Sequence, residues 1–343
     1  MKQKYSAWFL TGLLLAALPS VAARAEISEL LQGLPSKYCS AEDGRRPVVK
    51  SQGGYGTCWA LAATSALEAS LLPKTHVIFS ADHMALKNAF SVTLNDGGDY
   101  RMAMAYLAGW QGPVLEKDDP YGDGVSDTSL SAVKHVQEMQ ILGEKDYTAI
   151  KKAVYRYGAV QSSIYMDMEN AFSSSVYYNQ LNMSYHYPGE KKANHDIIII
   201  GWDDNYPKEN FNTELEGDGA FICMNSWGEN FGDDGLFYVS YYDSNIATHN
   251  ICYTKVEDAD NYDNIYQTDL CGWLGQIGYG NENVWGANVY TASAGMQQIC
   301  AAGFYAVDAD TEYEIGIVTD VPDQPAADWR RLKKKKLGTV SGT

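Results

Sequence analysis

The sequence predicts an α+β protein with a cleft between a helical lobe and a strand-rich lobe, followed by a smaller all-β module. Three observations support this fold class. The first third of the chain carries Ala- and Leu-rich segments with helical periodicity, and the middle third carries short β-branched segments between glycine-rich turns. An acidic, polar stretch at 257–263 then precedes further strand-like segments. Helices followed by strands are typical of α+β folds.

The N-terminus has the layout of a secretory signal peptide. Two lysines precede an apolar stretch from Ala7 to Leu18, and Ala23-Arg-Ala25 offers a small-x-small cleavage site. No later segment approaches the length of a membrane span. We therefore expect residues 1–25 to be removed and the protein to be extracellular, bound to the cell surface or periplasmic.

Composition and charge narrow the class of protein. Hydrophobic residues make up 45% of the 343-residue chain and charged residues 20%, which indicates a packed globular protein. A formal net charge of −17 argues against nucleic acid as a partner, because duplexes are bound mainly by Lys and Arg that neutralise phosphates. Six cysteines are present, so if one stays a free thiol the other five cannot all pair within the chain.

Helices are predicted in the first third of the chain. A glycine-rich turn at 51–57 gives way to a helix over 58–72, whose small residues recur near a helical period. Residues 81–90 and 102–110 have similar character. One small-residue face of the first helix can therefore pack tightly.

Strands are predicted after Pro120. Residues 158–165, 220–224 and 236–242 alternate with glycine-rich turns. The segment 196–202 contains four consecutive isoleucines, which indicates a strand buried on both faces.

The C-terminal region is predicted to be a short all-β module, with strands at 284–291, 301–307 and 314–318. The chain then runs into a basic segment without a core pattern, which we interpret as a solvated tail. The expected boundaries are 26–256 for the two-lobed domain, 257–330 for the partial β module and 331–343 for the polar basic tail.

Cys58 has the surroundings that a catalytic thiol needs. It stands at the first turn of the predicted helix, where the macrodipole and unpaired N–H groups favour a thiolate. Six residues earlier, Gln52 can direct its amide, together with the Cys58 backbone N–H, at a developing oxyanion. The neighbouring residues leave little bulk near the sulfur.

Two further residues complete a catalytic group. His195 immediately precedes the isoleucine-rich strand, and Asn225 ends another predicted strand. An Asn side chain can accept a hydrogen bond from one imidazole nitrogen and so turn the other nitrogen toward a thiol. Trp227 can shield that hydrogen bond from water.

Three segments that contain these residues resemble, in order, the signature blocks of the papain family of cysteine peptidases. They are Gln52-Gly-Gly-Tyr-Gly-Thr-Cys58-Trp-Ala-Leu, Asn194-His195-Asp-Ile-Ile-Ile-Ile-Gly-Trp-Asp-Asp and Asn225-Ser-Trp-Gly. The resemblance covers Leu34 to Asp243 and implies a papain-like fold of two lobes, one helical and one β-barrel-like. It implies Cys58 as nucleophile, His195 as general base and acid, Asn225 as orienting residue and Gln52 as oxyanion donor.

The resemblance also implies a substrate cleft. Gly97 and Gly98 resemble a glycine pair whose backbone pairs with the substrate main chain. Tyr100 and Ser163 fall where such enzymes build the pocket for the second residue before the cleaved bond, although core packing is the alternative for both. Asn194 and Trp227 join them as predicted substrate-binding residues.

Two features depart from papain itself. A tyrosine, Tyr55, replaces a cysteine, so the disulfide beside the nucleophile is missing, and too few residues separate Ala25 from Leu34 for a long propeptide. Together with Gly112–Tyr121 and Trp202–Tyr206, these departures resemble a bacterial branch of the family in which a lectin-like β-sandwich follows the peptidase. We expect that sandwich to be incomplete here and to contact a surface glycan or protein.

The sequence predicts a secreted endopeptidase that cuts extracellular or cell-surface proteins through an acyl-enzyme, with proteins or peptides as substrates and no required cofactor. A catalytically silent surface adhesin and a cell-wall peptide hydrolase are the alternatives. Asp258, Asp260 and Asp263 are weak candidate ligands for a structural Ca²⁺, and a solvated acidic linker is the favoured interpretation of this segment.

Overall fold

The computed structural model describes residues 33–275, 280, 285–293, 295–306, 312–318 and 335–340. The predicted signal peptide lies outside the described residues. The described helices are α1 Cys58–Leu71, α2 Ala81–Lys87, α3 Tyr100–Ala108 and α4 Tyr147–Tyr157. The described strands are β1 Lys37–Cys39, β2 Lys134–Leu142, β3 Val160–Ile164, β4 Tyr178–Asn179, β5 Ser184–Tyr185, β6 His195–Asp203, β7 Ala220–Met224, β8 Leu236–Ser240, β9 Asn250–Asp258, β10 Tyr313–Ile317 and β11 Lys335–Val340.

Strand β6 lies in the interior of the main sheet. The strand order is β2-β9-β3-β6-β7-β8-β5-β4, and the short strand β1 also pairs with β6. Ile198 and Ile200 point into a core formed mainly by α1, α2 and α3, whereas Ile197 and Ile199 point into a second core that includes α4. The prediction of a strand buried on both faces is confirmed.

Helix α1 is buried on nearly all sides, because Trp59 through Ala69 are all buried. A helix that is apolar around its whole circumference belongs in a core. Its one buried acid, Glu68, is held by the Nζ of Lys50 at 2.6 Å and by the backbone N–H of Phe79 at 2.8 Å. This ion pair ties the segment that leads to Gln52 onto the helix that begins at Cys58.

The predicted α+β class with a helical part and a sheet is confirmed, with helices α1–α3 and strands β3, β6, β7 and β8 close to their predicted positions. Strand β2, helix α4 and strand β9 were not predicted. Strand β2 lies at the edge of the sheet and has two register shifts, so buried and exposed residues do not alternate regularly along it. This irregular burial explains why its sequence lacks a clear strand pattern.

The C-terminal region contains less regular structure than predicted. The strands expected at 284–291 and 301–307 are wrong, because the described residues 285–291 and 301–306 form no strand. Strand β10 matches the third predicted strand. It pairs with β11 in an antiparallel two-stranded sheet, so the segment predicted as a tail without core pattern carries a strand instead.

None of the helices in the described part of the chain is both long and apolar enough to cross a membrane.

Candidate active site

The nucleophile loop brings Cys58 to the start of α1, as predicted. Thr57 occupies the N-cap position, and its hydroxyl bonds the hydroxyl of Tyr121, which also donates to the carbonyl of Gln52 at 2.9 Å. Gly56 passes so close to the backbone of Gly97 that a Cβ would lie 3.1 Å from its nitrogen. The glycines of this loop therefore let two backbone segments meet beside the thiol.

The Cys58 thiol is half-buried against the strand that carries the base. Burial, with a smaller contribution from the negative charge of Asp196, raises the pKa of the thiol to about 12. Backbone N–H groups of Asp196 and Trp59 act in the opposite direction because they stabilise the thiolate. The sulfur is thus placed next to the residue that directly follows His195.

The side chain of Asn225 fixes the tautomer of His195. Its Oδ1 accepts the backbone N–H of Ser226 at 2.8 Å, which identifies that atom as the oxygen. The same oxygen lies 2.7 Å from Nε2 of His195, so Nε2 must carry a proton and donate it. Nδ1 is therefore the unprotonated nitrogen in the neutral ring, which is the atom a general base needs.

Trp227 covers this pair of residues. Its ring centroid lies 5.1 Å from that of His195, and Phe231 packs edge-on against the same indole, also at 5.1 Å. The histidine side chain is only 7% exposed and Asn225 only 2%. The structure therefore places Trp227 as a shield over the imidazole.

Burial disfavours a negative charge on Cys58 and a positive charge on His195 when either forms alone. It lowers the pKa of His195 to about 4, against the favourable hydrogen bond to Asn225, just as it raises the pKa of the Cys58 thiol. Moving the thiol proton onto the imidazole creates both charges together, and each then compensates the other. If the thiol proton moves to the imidazole, the thiolate therefore forms as half of an ion pair with His195.

Gln52 is braced on three sides. Its backbone N–H donates to the carbonyl of Ser226 at 2.8 Å, its Oε1 accepts the Ser226 hydroxyl at 2.8 Å, and its Nε2 donates to the carbonyl of Tyr55 at 2.8 Å. An amide nitrogen has two hydrogens, so one donor remains beyond the bond to Tyr55. The predicted oxyanion donor is held rigidly beside the nucleophile loop.

The predicted substrate-binding glycines run beside the nucleophile loop. Gly97 has a φ of +76°, a conformation that favours glycine. A Cβ on Gly98 would lie 2.5 Å from the ring of Trp59, directly after the nucleophile. Tyr100 begins α3, and its ring lies 6.0 Å from that of His249.

Ser163 and Asn194 are engaged within the fold. The Ser163 hydroxyl donates to Asp196 at 2.6 Å across the β3–β6 ladder. Both ends of the Asn194 side chain bond the backbone of Met166, with an N–H donated to Oδ1 at 2.8 Å and Nδ2 donating to the carbonyl at 3.0 Å. The structure thus places Asn194 as a clamp on the loop after β3.

Asp196 is the residue that the sequence prediction missed. The residue is 7% exposed, and its carboxylate accepts hydrogen bonds from Ser163 and from Nε2 of Gln161 at 2.8 Å. Burial raises its pKa to about 6 despite those donors. The sequence did contain a signal for these partners. Asp196 stands between His195 and four isoleucines of a buried strand, and acidic residues are almost never fully buried unless they have partners.

The candidate Ca²⁺ ligands are not assembled. Asp258 forms an ion pair with Lys134 at the end of the β2–β9 pair. Across the residues that the structure covers, no group of three acidic, His or Cys side chains is arranged to hold a metal ion.

Comparison with known proteins agrees with this geometry. The family model described as papain family cysteine protease matches residues 35–256, and a model described as lectin-like domain matches residues 265–343. Because the first match covers well over half of the chain, the chain belongs to the papain family of cysteine proteases.

Curated relatives include cathepsin K of Mus musculus, 27% identical over 54% of this chain and 54% of the relative. Cathepsin S of Bos taurus is 27% identical over 60% of this chain and 59% of the relative. The chain therefore spans little more than half the length of these curated relatives.

Among solved structures, the cysteine protease and lectin-like domains of Cwp84, a surface layer associated protein of Clostridium difficile, are similar to this chain. The identity is 28%, the TM-score 0.63, and the match covers 70% of this chain and 55% of that chain. Bromelain from Ananas comosus, at 18% identity and a TM-score of 0.50, covers 64% of this chain and 99% of its own; it supports the fold alone.

Proposed function

We propose that this protein is a secreted papain-type cysteine endopeptidase that hydrolyses peptide bonds of extracellular or cell-surface proteins. The observation that carries the proposal is the 2.7 Å hydrogen bond from Nε2 of His195 to Oδ1 of Asn225, beside the thiol at the start of α1. That bond leaves Nδ1 as a base, and a base next to a thiol is the requirement for a cysteine nucleophile.

Acylation follows from these positions. Nδ1 of His195 takes the proton of the Cys58 thiol, and the sulfur attacks the carbonyl carbon of the scissile peptide. The carbonyl oxygen becomes an oxyanion, which accepts hydrogen bonds from the Cys58 backbone N–H and the free hydrogen on Nε2 of Gln52. The imidazolium then protonates the leaving nitrogen, the C–N bond breaks, and a thioester remains on Cys58.

Deacylation reverses the proton path. Once the amine product has left, Nδ1 of His195 removes a proton from a water molecule as its oxygen attacks the thioester carbon. The tetrahedral intermediate uses the same donors, and its collapse releases the carboxylic acid and returns the proton to the sulfur. Trp227 keeps bulk water away from the His195–Asn225 bond through both half-reactions.

Substrate alignment is assigned to the cleft beside Cys58. The backbone at Gly97 and Gly98 is proposed to pair with the substrate main chain, and Tyr100 and Ser163 to border the pocket for the second residue before the cleaved bond. Both border residues lie close to Asp196. Burial raises the pKa of Tyr100, with smaller contributions from the charges of Asp99 and Asp196, and the Asp196 carboxylate accepts a hydrogen bond from Ser163.

The location and the partners of the enzyme are part of the same proposal. The signal-peptide pattern at the N-terminus supports export, and the match of residues 265–343 to a lectin-like domain supports contact with a glycan or protein at a surface. The lectin-like region would then hold the peptidase domain near its substrates.

The proposal is tested by hydrolysis of quenched fluorescent casein by the secreted chain. Cleavage should be lost in Cys58→Ala and after treatment with an epoxide that alkylates active-site thiols. A cell-wall peptide offered in parallel identifies a peptidoglycan hydrolase if it alone is cleaved. An inert wild type whose thiol also resists the epoxide would overturn the proposal in favour of a silent binding protein.

A further inference from the structure

Gln161 is a buried polar side chain to which the proposed reaction gives no role. It lies in β3 and is only 1% exposed. A buried amide has to satisfy its hydrogen-bonding atoms within the protein. Its partners therefore show which parts of the fold it holds together.

Gln161 faces the helix that begins at Cys58. Side chains alternate between the two faces of a strand, and in the β3–β6 register Gln161 pairs with Ile198, which points into the core that contains α1. Ser162, the next residue, points to the other face, where its hydroxyl donates to Oδ1 of Asn250 at 3.0 Å. Gln161 is thus placed between β3 and α1.

The amide of Gln161 joins three separate elements. Its Nε2 donates to the carboxylate of Asp196 at 2.8 Å and to the backbone carbonyl of Trp59 at 3.3 Å, so both of its hydrogens are used. The hydroxyl of Tyr253 in β9 donates to Oε1 at 3.4 Å. A flipped amide would turn its oxygen toward two acceptors, so these neighbours fix its orientation.

Two of these partners are direct neighbours of the proposed catalytic residues. Trp59 follows the nucleophile Cys58, and Asp196 follows the base His195. The backbone N–H of Asp196 also bonds to the Cys58 sulfur. A single buried amide therefore ties the first turn of α1 to the start of β6, although the two elements lie far apart along the chain.

We propose that Gln161 is a positioning residue, which sets the distance and the orientation between the Cys58 thiol and the His195 imidazole. The inference rests on the proposed function, because it concerns the same pair of reacting groups. A misplacement of about 1 Å can cost about 10²-fold in rate. The proposed cleft at Gly97 and Gly98 is formed by another segment, so the loss should fall on kcat rather than on KM.

The first test replaces Gln161 in the full secreted chain. Gln161→Met keeps a side chain of similar length and removes both donors, so kcat on a fluorogenic peptide should fall about tenfold or more with little change in KM. Alkylation of the Cys58 thiol by iodoacetamide at neutral pH, followed by mass spectrometry, should slow by a similar factor. This second readout needs no bound substrate.

Ser162→Ala is the matched control. It removes a buried hydroxyl from the opposite face of β3, which donates to Asn250 and accepts the backbone N–H of Ala247 at 3.2 Å. It should therefore lower the urea midpoint of unfolding, while kcat and the alkylation rate stay close to those of the wild type. Losses of activity that follow the losses of stability in both variants would overturn the positioning role.

Two replacements of Asp196 test the same hydrogen bond from its other end. Asn and Leu both remove the negative charge, but only Asn keeps an oxygen that can accept from Gln161. Asp196→Asn should therefore have about tenfold higher kcat than Asp196→Leu. Gln161→Met combined with Asp196→Leu should be no slower than the slower single variant, because both changes remove one interaction. If Gln161→Met fails to fold, the comparison of Asn with Leu decides the matter.

A Gln161→Met protein with the kcat and alkylation rate of the wild type would overturn the inference, and so would equal activities of Asp196→Asn and Asp196→Leu. If the wild type is alkylated but cleaves no peptide, the proposed function fails, and the alkylation rates still decide the role of Gln161. A wild-type Cys58 thiol that resists alkylation overturns both, since no assembled thiol–imidazole pair would then exist.

Discussion

Gln52 and Ser226 are joined by two hydrogen bonds that run in opposite directions. The backbone N–H of Gln52 donates to the carbonyl of Ser226, and the hydroxyl of Ser226 donates to Oε1 of Gln52, each over 2.8 Å. The backbone N–H of Gly228 also donates to the carbonyl of Lys50 at 3.0 Å. Gln52, the proposed oxyanion donor, and the segment that carries Asn225 are thereby held in one fixed arrangement.

Ser226→Ala should lower kcat about tenfold with little change in KM, because the Gln52 amide loses the bond that orients it. Gln52→Ala should lower kcat about 10²–10³-fold, as removal of an oxyanion donor does. The double variant should be no slower than Gln52→Ala alone. Steady-state kinetics on a fluorogenic peptide measures all three. Additive losses would show that Ser226 acts by some route other than Gln52.

The reactivity of the thiol should depend on His195 across the acidic and neutral range. Burial raises the pKa of an isolated Cys58 thiol to about 12, so without a proton acceptor it reacts only at alkaline pH. The wild type, in which His195 takes the proton, should be alkylated by iodoacetamide well below pH 8. His195→Ala should shift that profile to alkaline pH. Identical profiles for both proteins would contradict ion-pair formation.

Asp196 should make the fold less stable as pH rises. The pKa of an unperturbed aspartate is 3.8, and burial raises that of Asp196 to about 6 in the folded protein, so between these values the native state binds more protons than the unfolded chain. The free energy of unfolding therefore falls through that window, by roughly 3 kcal/mol in total.

Asp196→Asn removes this titration. Relative to the wild type, its free energy of unfolding from urea titrations should rise by roughly 3 kcal/mol between pH 3.5 and pH 7.5. The exposed Asp118→Asn is the matched control and should follow the wild type. A difference between Asp196→Asn and the wild type that stays constant with pH would contradict the assigned proton uptake.

Replacing only one residue of the Lys50–Glu68 ion pair should lower the free energy of unfolding substantially. The two side chains are 13% and 2% exposed, and Lys50→Met leaves a buried carboxylate without its cation. The expected loss is about 3–5 kcal/mol. Lys50→Met combined with Glu68→Leu should recover most of it. Chemical denaturation measures both variants, and a single-variant loss below about 1 kcal/mol would mean that water already solvates the pair.

Gly98→Ala should damage both stability and substrate binding. The added Cβ would meet the Trp59 ring at 2.5 Å, so the indole beside the nucleophile must shift. Overpacking of this kind costs about 1–3 kcal/mol. Gly54→Ala, where a Cβ meets nothing within 4 Å, is the control. A Gly98→Ala protein with wild-type KM and stability would contradict the close approach.

Sequence patterns placed the three proposed catalytic residues correctly within the fold, because each stands at the end of a strongly patterned element. Cys58 begins an apolar helix, His195 begins an isoleucine-rich strand, and Asn225 follows β7 directly. These signals are local. The contact of Gln52 with Ser226 is not local, since Ser226 lies far along the chain, and no periodicity could have indicated it.

Edge strands and long-range polar contacts were beyond prediction. Strand β2 lies at the end of the sheet and mixes polar with apolar residues across its register shifts, so it lacks a clean two-residue period. Asp196 was predicted only as part of an apolar strand, because its role depends on Ser163 and Gln161 from the neighbouring strand.

The position of β6 has a consequence for how the molecule opens. The strand is hydrogen-bonded to β3 and β1 along one side and to β7 along the other, with a hydrophobic core on each face. Amide hydrogens in such a strand exchange with solvent only through near-global unfolding. His195 is the first residue of this strand, so we expect its imidazole to stay in place while the outer strands of the sheet open and close.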